Sequence, residues 1–247
     1  MKNKGLFLLL PFFLSSCACL SPQEVQDRGT NDVLEPMNRV IFQFNMALDQ
    51  GILEPLAKGA RYVLPQFVRT GVSNFFSNLA QPVYLGNALL QGDGAAALTT
   101  GKRFVTNTFV GGLGFIDVAT RLDIPEEKRD FGQTLAVWGI ESSGPFLVLP
   151  ILGPSTVRDS VGLVGDTALN PTTWILWDEP AIRYSLMGTE AFFAREKSID
   201  FIDTLKGSST DLYATMRTMY LQNRKNSIQK VLGEKNTDYE FDFELEE

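Results

Sequence analysis

The amino-acid sequence predicts an all-α fold. In the first half of the chain, apolar residues recur at spacings of three and four positions, which places them on one face of a helix. Met37, Val40, Phe44 and Leu48 form the first of these stripes. No stretch of this half alternates apolar and polar residues with the period of two that a half-buried strand shows. The length of 247 residues suits one large core or an intimate pair of subdomains.

Glycine and proline predict where the first helices begin and end. The first helix begins at Glu35-Pro36, because proline is tolerated in the first turn, and is expected to end at Gly51. Pro65 and Pro82 are expected to end the next two, since a proline inside a helix removes a hydrogen bond. The other helical segments before residue 140 are 83–90, 95–109, 117–122 and one that contains Trp138.

The segment Gly111-Gly112-Leu113-Gly114 is predicted to be a turn that allows close helix packing. A glycine-rich loop that binds phosphate follows a strand and precedes a Lys-Ser/Thr pair. This segment has neither, so a nucleotide site is not expected here.

The central stretch, residues 144–177, is apolar but broken by glycine and proline. It is too interrupted for a transmembrane helix, which needs about 20 consecutive apolar residues. Its longest segment is predicted to be a helix over 155–169 with a Ser or Thr cap. One face of that helix carries Arg158, Asp159, Gly162 and Asp166, and the other carries Val157, Val161, Val164 and Ala168. Trp174 and Trp177 follow, a residue type that favours a water–hydrocarbon boundary. Two interpretations stay open: a hairpin lying in one membrane leaflet, or a buried helical hairpin of a soluble core.

Two longer helices are predicted over 181–205 and 210–232, joined by Gly207-Ser208-Ser209. Most of their charged residues are expected to form solvated faces; these are Arg195, Glu196, Lys197, Arg217, Arg224 and Lys225. The acidic tail, 233–247, alternates acidic and apolar residues over 238–246. It suits either a strand added to a partner's sheet or a disordered segment, and disorder is the prediction.

The N-terminus has the anatomy of a lipoprotein signal peptide. Lys2 and Lys4 precede a short apolar run, and the small residues Ser15 and Ser16 precede Cys17. This arrangement resembles the lipobox of bacterial lipoproteins, which implies cleavage before Cys17 and acylation of that residue; Cys19 is the competing site. Residues 1–16 are therefore predicted to be the signal peptide, 17–33 a lipidated tether and 34–232 the helical domain.

Composition excludes several classes of chemistry. The chain has no histidine, so it has neither a Ser-His-Asp or Cys-His catalytic arrangement nor a His-ligated metal site. Loss of Lys2 and Lys4 with the signal peptide moves the net charge from −7 to −9, two lysines fewer. Such an acidic chain is a poor match for nucleic acid. No cofactor is predicted.

A series of sequence blocks resembles the MlaA/VacJ lipoproteins. The blocks come in the family's order over about residues 32–226. They are Leu34-Glu35-Pro36-Met37-Asn38-Arg39, Phe42-x-Phe44-Asn45, Val68-Arg69-x-Gly71-x-x-Asn74-Phe75, Asn87-x-Leu89-Leu90-Gln91-Gly92, Arg103-Phe104-x-x-Asn107-Thr108, Gly114-Phe115-Ile116-Asp117-Val118-Ala119, Asp130-Phe131-Gly132-Gln133-Thr134-Leu135, Gly144-Pro145-Phe146-x-Val148-Leu149-Pro150, Gly153-Pro154-Ser155-Thr156-x-Arg158-Asp159 and Asp211-x-Tyr213-x-x-x-Arg217-x-x-Tyr220.

The resemblance implies a ring-like bundle of short amphipathic helices, partly embedded in the periplasmic leaflet of a Gram-negative outer membrane. Its implied function is to remove mislocalised phospholipids from the outer leaflet through an amphipathic channel and so to maintain lipid asymmetry. The implied partners are trimeric porins and a soluble, MlaC-like periplasmic lipid carrier. On this view Arg158, Asp159 and Asp166 are expected to line the channel, because charged residues at membrane depth face a wet cavity.

Two other functions compete with that of a lipid conduit. A phospholipase acting on the same lipids is disfavoured, because Ser155 has no histidine to activate it and no Gly-x-Ser-x-Gly motif occurs. The chain is therefore predicted not to be an enzyme. A structural porin-associated envelope lipoprotein without transport activity stays open, because amphipathic helices also serve docking.

Overall fold

The first helices run on without the break that glycine predicts. A computed structural model describes residues 32–140 and 142–233. In it α1 (Glu35–Leu48) continues through a π-helical turn, Asp49–Leu53, directly into α2 (Glu54–Val63). The prediction that the helix ends at Gly51 is wrong. Glycine costs only about 1 kcal/mol in a helix, and the ion pair between Asp49 and Arg195 (2.5 Å) ties this turn to a later helix.

The third helix, α3 (Gln66–Leu90), contains Pro82 in its interior. The prediction that Pro82 ends a helix is therefore wrong as well. α3 is followed by α4 (Gly94–Phe109), and these two helices form the most extensive helix pair of the domain. This packing outweighs the local cost of the proline, because tertiary contacts routinely override local preference.

The second half combines short helices with a β-hairpin. α5 (Val118–Arg121) and α6 (Phe131–Val137) precede strands β1 (Phe146–Leu149) and β2 (Gly153–Thr156), which pair antiparallel with Phe146 opposite Thr156. The later helices are α7 (Val157–Leu169), α8 (Pro171–Ile175), α9 (Pro180–Lys197), α10 (Ile199–Ser208) and α11 (Leu212–Leu232). The described chain is thus helical, as predicted, with one small hairpin that was not predicted.

Two predicted helices differ in their bounds. The helix predicted over 155–169 begins at Val157, because Ser155 and Thr156 belong to β2 and the Thr156 hydroxyl accepts a hydrogen bond from the Asp159 N–H as the N-cap. The helix predicted over 181–205 is two helices, α9 and α10, with the break at Ser198.

Two glycines, Gly114 and Gly162, allow segments of the chain to pack closely. The sequence predicts the first of these close contacts, at 111–114. Gly114 has φ +93°, and a Cβ there would lie 2.4 Å from the Cβ of Asn78, so the predicted turn with close packing at 111–114 is confirmed. Gly162 faces α6, where a Cβ would lie 2.6 Å from the Gly132 nitrogen. Gly162 and its neighbour Gly165, which faces the Phe131 ring, therefore serve helix packing in this structure.

We expect Gly162→Ala and Gly188→Ala to change stability in opposite directions. The new methyl group at 162 meets the backbone of α6, so overpacking should lower the free energy of unfolding by about 1–3 kcal/mol. At Gly188, inside α9, a Cβ meets nothing within 4 Å, and the higher helix propensity of alanine should raise the free energy by about 0.5–1 kcal/mol. Urea unfolding of the detergent-solubilised protein measures both. Equal effects of the two variants would contradict the α6–α7 packing.

The described domain buries many polar side chains and exposes many large apolar ones, beside a small apolar core that includes Phe146 and Val148. The largest fully buried side chains are all polar, namely Gln81, Asn38, Asn87, Thr100, Thr134 and Thr156. Large apolar side chains are exposed on nearly every element; Phe67 and Phe109, for example, are 77% and 80% exposed. Monomeric soluble proteins rarely expose extended apolar surface. Among the helices that the structure describes, none has the length and apolarity needed to cross a membrane.

Candidate functional site

A buried polar cluster joins α6, α7 and α11. Arg224 on α11 donates to both carboxylate oxygens of Asp130 (2.5 and 2.7 Å) and to Asp159 (2.7 Å), and Tyr220, one turn earlier, donates to the other oxygen of Asp159 (2.7 Å). Asp130 also caps α6 by a capping box with Gln133. One guanidinium thus holds the starts of two helices against a third.

The structure places the three predicted channel residues around this cluster. Asp159 and Arg158 are 8% and 3% exposed, and Arg158 donates to the Ile140 carbonyl (3.2 Å). Asp166 accepts from the Asn87 side chain (2.8 Å) and from the Phe131 N–H (3.0 Å). All three therefore contact other elements of the domain, and their channel role stays a prediction.

The pKa values of Asp159 and Asp166 shift in opposite directions. Burial opposes ionisation of Asp159, but the hydrogen bond from Tyr220 and the charge of Arg224 outweigh it and lower the pKa of Asp159. Burial raises the pKa of Asp166 to about 6, against the hydrogen bond from Asn87. A carboxyl with that pKa changes charge near neutral pH, whereas Asp159 stays ionised.

A concave polar pocket of about 450 Å³ opens beside the cluster. α3 contributes Tyr84, the segment before α6 contributes cationic side chains, and α11 contributes one face. The lining residues are Tyr84, Lys128, Arg129, Asp130, Gln133, Tyr220, Asn223, Arg224 and Ser227. Its three cations are all paired with carboxylates: Arg224 with Asp130 and Asp159, Arg129 with Asp93, and Lys128 with Glu126. The lining therefore offers ion-paired polar groups of both signs, which suit a polar group such as a lipid headgroup.

The opposite face of α7 is apolar and exposed, as the helical wheel predicts. Val157, Val161 and Val164 are 43%, 54% and 71% exposed. Trp174 and Trp177 stack with ring centroids 6.2 Å apart and are each 63% exposed. The interpretation as a buried hairpin of a soluble core is therefore wrong for this face, because no described element covers it.

Sequence reasoning missed several residues of the pocket. The sequence predicts a solvated face for Arg224, Arg195 and Glu196, and this prediction is wrong. Arg195 and Glu196 are 9% and 4% exposed, and the Arg224 side chain is only 14% exposed. Arg195 pairs with Asp49, and Glu196 pairs with Arg61 and Arg69. The position of Tyr84 on a polar helix face is predictable, because Ser77, Gln81 and Tyr84 lie at helical spacing on α3. Nothing local predicts that Arg224 meets two helix starts far away in sequence.

Two predictions fall outside the described residues. These are the lipidation of Cys17, with its signal peptide and most of the tether, and the disorder of the acidic tail beyond Gly233. Among the described residues, no cluster of three or more His, Cys, Asp or Glu side chains is arranged to hold a metal ion.

Comparison with known proteins agrees with the resemblance read from the sequence blocks. The model of the MlaA lipoprotein family matches residues 30–227. The chain is 36% identical over 200 residues to the intermembrane phospholipid transport system lipoprotein MlaA of Shigella flexneri, which covers 79% of this chain and 77% of that protein. It is 34% identical over 234 residues to the protein of the same name from Haemophilus influenzae, which covers 90% of each.

A solved structure shares the fold. It was described in work on the structural basis for maintenance of bacterial outer membrane lipid asymmetry, and it superimposes with a TM-score of 0.70 at 34% identity, covering 80% of this chain and 99% of that one. The matched sequence region extends over most of the described helices and includes every residue of the pocket. The chain therefore belongs to the MlaA lipoprotein family.

Proposed function

We propose that this lipoprotein acts in intermembrane phospholipid transport and helps to maintain the lipid asymmetry of a Gram-negative outer membrane. The relatives from Shigella flexneri and Haemophilus influenzae carry the first of these functions in their names. The observation that carries the proposal here is the combination of many buried polar side chains with large apolar side chains that are exposed on most of the helices. A phospholipid headgroup needs polar walls, whereas an outer surface of this kind suits contact with acyl chains.

The apolar surface supports a position in the periplasmic leaflet. The valine face of α7 and the stacked pair Trp174–Trp177 meet hydrocarbon and its boundary in this arrangement. Acylation of Cys17 adds a stable anchor, because several chains together bind a membrane far more strongly than one. In this proposal a polar passage for the headgroup lies within the helical domain, and part of the exposed apolar surface serves the docking of trimeric porins.

The polar pocket belongs to the path of the lipid headgroup. Tyr220 and Arg224 line the pocket, and Asp159 accepts a hydrogen bond from each of them. In this proposal Arg158 and Asp166, which lie on the same helix as Asp159, extend the polar wall of the path. Mislocalised phospholipid passes from the outer leaflet along this wall to a soluble MlaC-like carrier in the periplasm. The protein performs this as a conduit and not as an enzyme, since the transfer breaks no covalent bond.

Blocking the pocket tests this function. We expect Ser227→Trp to fill the pocket and to raise phospholipid exposure in the outer leaflet to the level of a deletion strain. Sensitivity to detergent plus chelator should rise with it. Asn226→Trp is the matched control, because residue 226 is exposed and does not line the pocket. Asn223→Trp is a second pocket variant, because residue 223 lines the same pocket one helical turn earlier. Membrane levels of every variant are measured by immunoblot.

The pocket variants and the deletion strain test different parts of this proposal. Wild-type asymmetry in both pocket variants at normal membrane levels would show that the pocket is not on the lipid path. An unchanged outer leaflet in the deletion strain itself would reject transport and favour a structural porin-associated role.

A further inference from the structure

The segment that joins α5 to α6 lines part of the pocket. This segment, residues 124–130, has no regular secondary structure and is called the strap below. Three of its residues line the pocket together with one face of α11. Its first half is held to α3, where the Ser77 hydroxyl donates to Glu126 (2.7 Å), and to α4, where Arg103 donates to the Ile124 carbonyl (2.6 Å). The strap is therefore anchored on the side of α3 and α4, and it shares the pocket with α11.

In the part of the chain that the structure describes, two ion pairs join the strap to α11, and they differ in strength. Arg224 donates two hydrogen bonds to Asp130 (2.5 and 2.7 Å), and the Arg224 side chain is only 14% exposed. The Lys230 ammonium lies 3.3 Å from Glu127, and the Lys230 side chain is 68% exposed. An exposed ion pair contributes little to stability, whereas a mostly buried pair is costly to break. The first pair is therefore a firm connection and the second a weak one.

The weak pair bounds the pocket at its end along α11. Asn223, Ser227 and Lys230 lie on one face of this helix, because residues three and four positions apart are neighbours on a helix. Asn223 and Ser227 line the pocket, so the ion pair from Lys230 to the strap lies one turn beyond the lining. Release of Lys230 leaves no buried charge unpaired, since Lys230 is exposed to water and Glu127 also lies 3.6 Å from Arg129. The ion pair therefore opens at little cost in free energy.

We propose that the Glu127–Lys230 ion pair is a latch, whose release widens the entrance of the pocket while Asp130 and Arg224 hold the strap at its other end. This inference rests on the proposed function, because it gives the path of the lipid headgroup an entrance that opens and closes. The latch is a single exposed contact between two charges, so one substitution releases it and an exchange of the two charges restores it.

The reactivity of a cysteine inside the pocket measures this opening. Ser227→Cys is introduced into the full-length lipoprotein in detergent, and its reaction with fluorescein maleimide is followed at residue 227 by peptide mass spectrometry, which excludes the native cysteines. We expect Lys230→Glu in this background to raise the rate about threefold, the change in open population that loss of an exposed ion pair allows. The new negative charge by itself slows the reaction, because the thiolate is the reacting form, so it works against the expected result.

Two further variants separate the ion pair from a general effect of charge. The exchange Glu127→Lys with Lys230→Glu should return the rate to that of Ser227→Cys alone. Lys225→Glu makes the same charge change at an exposed residue of α11 that does not line the pocket, and it should not raise the rate. The latch would be overturned by an unchanged rate in Lys230→Glu, by an equal rise in Lys225→Glu, or by an exchanged variant that reacts as fast as Lys230→Glu.

The labelling reaction contains no phospholipid, so it tests the latch independently of transport. Faster labelling in Lys230→Glu, together with wild-type lipid asymmetry in the Ser227→Trp strain, would support the latch and reject the pocket as the lipid path. Unchanged labelling in Lys230→Glu, together with lost asymmetry in the Ser227→Trp strain, would support the proposed function and overturn the latch.

Discussion

Replacing Arg224 by alanine should lower the free energy of unfolding by about 3–5 kcal/mol, the cost of breaking a mostly buried ion pair from one side. The Arg224 side chain is only 14% exposed and pairs with Asp130 and Asp159 at once. Without it, two carboxylates from different helices face each other with no cation between them. Asp159, which is 8% exposed, would bear the larger part of the cost.

The neighbouring variant Lys225→Ala is the control, because Lys225 is exposed and surface substitutions usually change stability by less than about 0.5 kcal/mol. Urea unfolding in detergent, followed by tryptophan fluorescence, measures both variants. A partial rescue is expected for Arg224→Lys, which keeps the charge but cannot contact both carboxylates with a planar fork. A loss below 1 kcal/mol for Arg224→Ala would mean that α11 does not hold α6 and α7 together.

Much of the helical fold is predictable because local signals suffice for it. Asp93, Asp117, Asp130 and Asp211 each accept a hydrogen bond at the start of a helix, and such capping residues are visible in sequence. The glycine segment at 111–114 behaves as its composition predicts. These features depend on residues within a few positions of each other.

The remaining features depend on contacts between distant residues. Two helices continue where local signals predict an end, α1–α2 through Gly51 and α3 through Pro82, because later elements pack against them. The β-hairpin forms where Ile151 (φ +68°) and Gly153 (φ +86°) make a turn. Backbone groups of β1 and of this turn form hydrogen bonds with the side chains of Asn38 and Asn45, about a hundred residues earlier. In the same way, the sequence predicts the polar face of α7 but not its partners on α6 and α11, since nothing within α7 identifies them.

Hydrogen bonds within the domain explain why one of the family's sequence blocks contains Arg103 and Asn107. Arg103 donates to Asp117 (2.5 Å) and to the Ile124 carbonyl (2.6 Å), and Asn107 both donates to Asp117 and accepts from the Ala119 N–H. The block that contains Arg103 and Asn107 therefore stabilises the connection between α4 and α5. Buried polar contacts of this kind stabilise a domain that exposes many of its large apolar side chains.

Asn38→Ala should lower the free energy of unfolding by about 2–6 kcal/mol, because it removes two hydrogen bonds that hold β1. The Asn38 amide donates to the Phe146 carbonyl (3.0 Å) and accepts from the Val148 N–H (2.9 Å), and Asn38 is fully buried. Alanine leaves both backbone groups unpaired in the interior, at about 1–3 kcal/mol each.

Asn45, two helical turns later on α1, supplies a matched control. It makes the same pair of bonds with the Leu149 carbonyl (2.9 Å) and the Ile151 N–H (2.8 Å), but nearer to solvent. Water can replace those bonds, so Asn45→Ala should cost only about 1 kcal/mol. Hydrogen exchange at the Val148 amide should quicken strongly in Asn38→Ala and little in Asn45→Ala. Equal exchange in both variants would show that the hairpin is held by the apolar packing of Phe146 and Val148 and not by the asparagine hydrogen bonds.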